Sequence, residues 1–143
     1  MNRKAATAEI NGGQQYPNIH GMVCFHEVEG GVLVMADVSG LPHKNGVFGF
    51  HIHNGYSCTG NSDDEFANAG THLDFGHNPH PYHSGDMPPL FGNDGKAYMM
   101  FVTDRFTVDE IIGHVVIIHE NPDDFTTQPS GKSGKKIACG KIM

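Results

Sequence analysis

Histidine is the residue type that most distinguishes this sequence, with eleven histidines in 143 residues. The imidazole side chain titrates near neutral pH and is the commonest protein ligand of transition metals. Six of the histidines have the spacings of metal ligands, and these are His51, His53, His72, His80, His83 and His119. The pattern therefore indicates metal chemistry.

One candidate site lies in a loop rich in glycine and proline. Its candidate ligands are His72, His80, His83 and Asp86. Pro79 and Pro81 disfavour a helix in this loop. Three imidazoles and one carboxylate match a closed tetrahedral zinc site, in which the ligand bonds are about 2.0–2.2 Å long. His77 is an alternative ligand in the same loop, although we expect its side chain to be exposed to solvent.

A second candidate site consists of histidines on strands. His51 and His53 alternate with apolar residues in the run 47–53, which is typical of a strand. We expect the apolar residues of this run to face the core and the two imidazoles to project from the opposite face. With His119, at the end of another apolar run, and one further imidazole, they would suit Cu(II) in a field of nitrogen ligands. Redox copper beside structural zinc requires one histidine close to both metals.

The remaining pattern predicts an all-β protein. Short apolar runs bounded by glycine or proline predict strands at 5–10, 19–28, 32–38, 47–53, 96–102, 115–119 and 136–142. Gly30-Gly31 predicts a hairpin. Helical character is limited to 107–112, where Thr107 is a candidate cap with Glu110 three residues later. Seven or eight short strands indicate a sandwich or barrel. The segments 54–95 and 120–135 are predicted to be long functional loops.

Composition and charge restrict the function classes. The length suits one domain covering residues 1–143. The net charge of −7 argues against a nucleic-acid partner, and the absence of a long apolar run argues against a membrane span. The N-terminus shows no signal peptide, which predicts a cytoplasmic protein, or an extracytoplasmic one from which a leader has been removed.

Cysteines and lysines leave alternatives open. The three cysteines are Cys24, Cys58 and Cys139. They match no zinc motif and allow one disulfide with one free thiol, but the sequence alone does not choose the pair.

Four lysines lie within the last twelve residues, and they are Lys132, Lys135, Lys136 and Lys141. This cluster is either a solvated tail or a functional group of cations.

Several separated motifs resemble the copper–zinc superoxide dismutase family, of the bacterial type. They are Gly49-Phe-His-Ile-His53, Ala69-Gly-Thr-His72, His80-Pro-Tyr-His-Ser-Gly-Asp86, Val116-Ile-Ile-His-Glu120 with Asp123, and Gln128-Pro-Ser-Gly-Lys-Ser-Gly134 followed by Ile137-Ala-Cys-Gly140. The motifs cover nearly the whole chain. The resemblance implies an eight-stranded Greek-key β-barrel or sandwich. It also implies an enzyme that disproportionates superoxide to oxygen and hydrogen peroxide.

The resemblance also implies the roles of individual residues. Copper would be bound by His51, His53, His72 and His119, and zinc by His72, His80, His83 and Asp86. His72 would bridge the two metals and carry a catalytic proton. Asp123 would link His51 to His80 and fix their orientation. Cys58 and Cys139 would form the disulfide and leave Cys24 free.

Two other classes of function compete with this interpretation. One is a metal-binding module without turnover, such as a copper store or a delivery domain. The other is an adhesive or structural β-sandwich whose histidines bind only zinc. Superoxide removal by the copper-loaded protein separates the first from an enzyme, and metal analysis separates the second. The sequence leaves both a monomer and a homodimer open.

The lysines give the first testable prediction. In this family the loop before the last strand guides the anion, a role that here implies Lys132, Lys135 and Lys136. Lys136 stands where the family usually has an arginine, and lysine lacks the planar two-pronged donor of arginine. We expect activity that is retained but lowered, with a stronger dependence on salt. Turnover measured for Lys136→Arg and Lys136→Ala tests this role, because an alanine variant as active as the unchanged protein would refute it.

Overall fold

The computed structural model describes residues 3–143, and strands dominate that part of the chain. The strands are β1 (Ala5–Gly12), β2 (His20–Val28), β3 (Gly31–Ser39), β4 (Val47–Phe48), β5 (Phe50–His53), β6 (Leu90–Phe91), β7 (Ala97–Thr103), β8 (Val115–His119) and β9 (Lys136–Lys141). A 3₁₀ turn covers Ala67–Ala69, and the α-helix α1 covers Val108–Ile111. The prediction of an all-β protein is confirmed.

The strands form a curled antiparallel sheet. Seven of them follow the order β5-β8-β9-β1-β2-β3-β7, and β4 pairs with β6 separately. The chain leaves β3, forms β4, β5 and β6, and then returns as β7 beside β3. Such a long connection back to a neighbouring strand is typical of Greek-key topology. Because β4 and β5 are two parts of one predicted strand, the count is eight, the number that the family resemblance implies, and β6 is the strand that the sequence pattern did not predict.

The core forms where strand alternation points side chains inward. In β3 the buried residues are Val32, Val34, Ala36 and Val38, while the residues between them are partly or fully exposed. Removal of such apolar side chains from water contributes about 25 cal/mol per Å² of buried surface. The largest fully buried side chains include Phe25, Phe48 and Phe50. The core therefore lies directly beneath β5, the strand that carries two of the candidate ligands.

The predicted strand 47–53 is interrupted at Gly49. The backbone N–H of Gly49 donates to the carbonyl of Asn121 over 2.9 Å, and the Gly49 carbonyl accepts from the N–H of His119 over 2.8 Å. A Cβ at this position would lie 2.4 Å from the Ser133 hydroxyl oxygen. Glycine is thus required where the strand passes this close to the 120–135 loop.

His51 and His53 alternate along β5 with the core residues Phe50 and Ile52. Both histidines are buried, because the loop after β5 folds back over the strand. The Leu73 N–H donates to the Ile52 carbonyl over 2.8 Å, and the Ile52 N–H donates to the Gly85 carbonyl over 2.9 Å. The loop therefore covers the face of β5 that carries the two histidines.

Short elements of regular structure lie between the long strands. The segment 54–95 was expected to lack regular structure, but it contains the 3₁₀ turn and β6. The helical turn is confirmed, since the Thr107 hydroxyl accepts from the Glu110 N–H and the Glu110 carboxylate accepts from the Thr107 N–H. Between residues 3 and 143, no helix has both the length and the apolar character needed to cross a membrane.

A disulfide joins Cys58 to Cys139, across 81 positions of sequence. It attaches the loop after β5 to β9, and Cys24 on β2 remains a free, partly buried thiol. A cross-link that closes a loop of this length stabilises chiefly by restricting the unfolded chain, by roughly 4–5 kcal/mol in the chain-entropy model.

The disulfide is therefore predicted to be a major source of stability. We expect Cys58→Ser to lower the free energy of unfolding by roughly 2–5 kcal/mol. Urea unfolding followed by circular dichroism measures the loss. Cys24→Ser is the matched control, because it also removes a sulfur atom but breaks no cross-link. Equal stabilities for the two variants would contradict the prediction.

Candidate metal centre

The candidate ligands come from three parts of the fold that meet at one end of the sheet. Adjacent antiparallel strands supply His51 and His53 from β5 and His119 from β8. The loop after β5 supplies His72, which forms an isolated bridge with His53. We call these four residues the four-histidine group. Their ligand atoms all lie within 4.8 Å of one another, and all four side chains are buried.

Hydrogen bonds orient three of the rings in this group. The His53 Nδ1 lies 2.8 Å from the Gly70 carbonyl oxygen, and the His119 Nδ1 lies 3.1 Å from the Gly134 carbonyl oxygen. The His51 Nε2 lies 2.9 Å from the Asp123 Oδ2. Each of these acceptors fixes a proton on the nitrogen that faces it, so the other ring nitrogen is left as a free lone pair.

The free nitrogens of this group face one another, and two of them have no hydrogen-bond partner. The Nε2 atoms of His53 and His119 are 3.2 Å apart. The His51 Nδ1 and the His72 Nε2 are buried and unpaired. Leaving a buried polar atom unpaired costs about 1–3 kcal/mol, so several such atoms around one point require an explanation. Four imidazole nitrogens are a suitable donor set for copper.

A second cluster, the loop group, consists of His72, His80, His83 and Asp86. The Asp86 Oδ1 lies 2.8 Å from the His72 Nδ1, and the Asp86 Oδ2 lies 3.0 Å and 3.1 Å from the Nδ1 atoms of His80 and His83. The Nδ1 atoms of His72 and His83 are 3.2 Å apart. Ligands of a tetrahedral zinc ion with bonds of about 2.0–2.1 Å are themselves about 3.3 Å apart. The loop group fits zinc.

His51 also lies close enough to the loop group to be considered a member. Its ligand atom is within 4.8 Å of those of His72, His80 and Asp86. However, its Nε2 bonds to Asp123, and its free Nδ1 is the atom that completes the four-histidine group. The His83 Nδ1 lies 3.1 Å from the Asp86 Oδ2 and 3.2 Å from the His72 Nδ1, and these contacts are the reason that His83 is counted in the loop group.

Asp123 connects the two groups. Its Oδ2 lies 2.9 Å from the His51 Nε2, and its Oδ1 lies 2.8 Å from the His80 Nε2. Burial alone would raise the pKa of Asp123, but hydrogen bonds from these imidazoles and from the Phe125 N–H bring it well below its usual range. The carboxylate is thus ionised and orients both rings.

Burial keeps the strand imidazoles neutral. It lowers the pKa of His51 to about 4 and that of His119 to about 3. Burial also lowers the pKa of His53 well below its usual value. A neutral imidazole is the form that binds a metal. These ligands therefore need no deprotonation at neutral pH.

Two residues outside the predicted ligand set support the loop group through its backbone. The Gln128 side chain accepts from the His80 N–H and donates to the His80 carbonyl, each over 2.8 Å. Arg105 donates through Nη1 to the carbonyls of Pro81, at 2.6 Å, and His83, at 3.3 Å. Arg105 follows β7 and belongs to no metal-ligand pattern, so no local signal marked it.

A cavity of about 1160 Å³ opens beside the four-histidine group. His53, His72 and His119 line it together with Lys135 and Lys136. Lys132 is exposed and lies outside this lining, and His77 is exposed and belongs to neither ligand group. The structure thus brings two of the three predicted steering lysines to the cavity.

The neutral imidazoles predict that the metal-free protein loses stability as the pH falls from about 6.5 towards 4. In that range the unfolded chain binds protons at histidine, whereas folded His51 and His119, with pKa values of about 4 and about 3, do not. The free energy of unfolding therefore rises with pH across this window. Urea unfolding of the metal-free protein at several pH values measures the slope.

Two variants separate the buried imidazoles from the other titrating groups. His119→Asn should flatten the slope, because one buried imidazole is removed. His77→Asn should leave the slope unchanged, because that side chain is exposed. An unchanged slope in His119→Asn would refute the explanation.

Comparison with known proteins gives a consistent result. Residues 19–142 match the family described as copper/zinc superoxide dismutase. The chain is 35% identical to a Cu-Zn superoxide dismutase of Deinococcus radiodurans, over 88% of this chain and 78% of that protein. It is 32% identical to a Cu-Zn superoxide dismutase of Legionella pneumophila, over 95% of this chain and 85% of that protein.

Solved structures agree with the sequence relatives. The Cu/Zn superoxide dismutase of Brucella abortus superposes with a TM-score of 0.84 at 28% identity, covering 98% of this chain and all of that one. A double mutant of a superoxide dismutase-like protein from Bacillus subtilis superposes with a TM-score of 0.73 at 28% identity, covering 94% and 95%. Together with the ligand geometry, these matches show that the chain belongs to the copper/zinc superoxide dismutase family.

Proposed function

We propose that the protein disproportionates superoxide at a copper site joined to a zinc site by His72. In this proposal the four-histidine group would hold copper and the loop group would hold zinc. Two superoxide ions and two protons then give one molecule of oxygen and one of hydrogen peroxide. Copper supplies the one-electron oxidation and reduction in this reaction, and zinc supplies a fixed positive charge.

The observation that carries the proposal is the position of His72 between the two groups. Its Nδ1 lies 2.8 Å from the Asp86 Oδ1, within the loop group. Its Nε2 is buried, has no hydrogen-bond partner and belongs to the four-histidine group. A single imidazole can present both nitrogens to two cations only when both are deprotonated. The Nε2 of His72 is then the atom that takes up and releases a proton.

The other residues hold this imidazole and admit the substrate. Contacts with His83 and Asp86 hold the Nδ1 side of the His72 ring. The ring therefore stays attached to the loop when its Nε2 gains or loses a proton. Lys135 and Lys136 line the cavity through which a small anion would reach this imidazole. We assign Lys136 to the catalytic site and treat Lys132 as a more distant source of charge.

The compartment is part of the proposal. The sequence left a reducing and an oxidising location open. The bond between Cys58 and Cys139 favours the oxidising one, because disulfides persist there and are reduced in the cytosol.

Metal content and superoxide removal measured on the same purified sample test the proposed function. We expect one copper and one zinc per chain, and turnover that His72→Asn lowers by more than about 100-fold, since even residues that only support metal ligands cost 10- to 100-fold. His77→Asn is the matched control, because it removes an exposed imidazole from the same loop.

The alternatives give different results in this experiment. Copper and zinc bound at full occupancy without superoxide removal would support a metal-binding module. Zinc without copper would support a structural sandwich. Retention of both metals and of full turnover in His72→Asn would refute the bridging role.

A further inference from the structure

The cavity beside the four-histidine group carries more negative than positive side chains. Asp63, Asp64 and Glu65 line it, together with Lys135 and Lys136. The proposed substrate is an anion, so this balance opposes its capture unless the carboxylates are individually neutralised or distant. The partner of each charge therefore matters more than the net charge.

Lys136 is already paired in this cavity. Its Nζ donates to the Asp64 Oδ2 over 2.6 Å, and the two residues are separated by 72 positions in the sequence. The Lys136 side chain is 17% exposed and that of Asp64 is 40% exposed. This partial shielding strengthens the Coulomb interaction relative to a fully solvated pair. The lysine in the position of the family arginine thus presents an ion pair to the cavity.

The neighbouring carboxylates differ from Asp64 in their contacts. Both oxygens of Glu65 accept from the Gln14 N–H, at 3.1 Å and 3.0 Å. Asp63 also lines the cavity, and in the described range 3–143 its carboxylate forms no ion pair. Asp63 and Asp64 are therefore adjacent residues of equal charge, of which Asp64 alone binds the lysine.

We propose that Asp64 limits anion capture at the metal centre by neutralising Lys136. An ion pair with charges this close presents a dipole to an approaching anion, whereas a free ammonium presents a full charge whose attraction falls more slowly with distance. Asp64 acts through Lys136 and is a residue that sets anion affinity, with no contact to the metal ligands required. The inference rests on the proposed function, since it takes superoxide as the anion.

Azide binding to the protein loaded with copper and zinc tests this inference without turnover. Binding is followed by electron paramagnetic resonance of Cu(II) in the unchanged protein, Asp64→Asn and Asp63→Asn. We expect Asp64→Asn to tighten azide binding roughly three- to tenfold relative to Asp63→Asn, because both variants remove one negative charge but only the first frees an ammonium group. The excess should shrink as salt is raised, since the Debye length falls from about 10 Å at 0.1 M to about 3 Å at 1 M.

A double substitution identifies the lysine as the source of the effect. In the Lys136→Met background, Asp64→Asn should tighten azide binding no more than Asp63→Asn does. Metal content and melting temperature are measured for every variant, so that only fully loaded and folded protein is compared. The rate constant for superoxide removal, measured at low salt, should follow the same order as azide affinity.

The outcomes distinguish this inference from the proposed function. Equal azide affinities of Asp64→Asn and Asp63→Asn would overturn the inference, while superoxide removal by the unchanged protein would still support the enzyme. Weaker azide binding in Asp64→Asn would also overturn it, because Asp64 would then hold the lysine in a useful position. An azide difference without superoxide removal by any variant would support Asp64 as the residue that sets anion affinity and refute the enzyme.

Discussion

The Asp123 carboxylate between two buried imidazoles is the interaction on which the candidate centre depends. Its two oxygens contact the Nε2 atoms of His51 and His80 at 2.9 Å and 2.8 Å. A carboxylate with a lowered pKa accepts hydrogen bonds, so each ring carries its proton on Nε2 and a lone pair on Nδ1. Those Nδ1 atoms are among the buried nitrogens that lack a partner. One acidic residue thus directs a lone pair into each ligand group.

The loop that holds Asp123 is shaped around this carboxylate. The Phe125 N–H donates to the Asp123 Oδ1 over 2.8 Å. Gly131 has a φ of 69°, and a Cβ there would lie 2.0 Å from the same oxygen and 2.8 Å from the His80 Nε2. Glycine tolerates both the backbone conformation and the close approach. The 120–135 segment has no strand pattern, because its backbone groups bond to side chains of the metal centre. The Phe125 N–H donates to Asp123, and the Gly134 carbonyl accepts from the His119 imidazole.

The sequence predicts the strands and the ligand set more successfully than the surroundings of the ligands. β8 has the predicted bounds, because an apolar run that ends in a histidine is a local signal. The strand pattern around His51 and His53 does not indicate how deeply they are buried, because burial depends on a loop that returns over β5 through backbone contacts without a sequence pattern. β6 was missed because two residues cannot show alternation. Asp64 was missed because its partner Lys136 is 72 residues away, and an isolated carboxylate is usually solvated.

The centre needs uncharged imidazoles as metal ligands and positive charge to attract an anion, and different parts of the fold supply them. Burial lowers the pKa values of His51 and His119, so the strand ligands contribute no positive charge at neutral pH. Attraction of an anion must therefore come from the bound cations and from the lysines of the cavity wall. The disulfide joins the two segments that carry the ion pair of Asp64 and Lys136. Cys58 lies in the same loop as Asp64, and Cys139 lies on β9, three residues beyond Lys136. The same cross-link that restricts the unfolded chain thus also joins the loop and the strand whose Asp64 and Lys136 side chains pair in the cavity beside the metal centre.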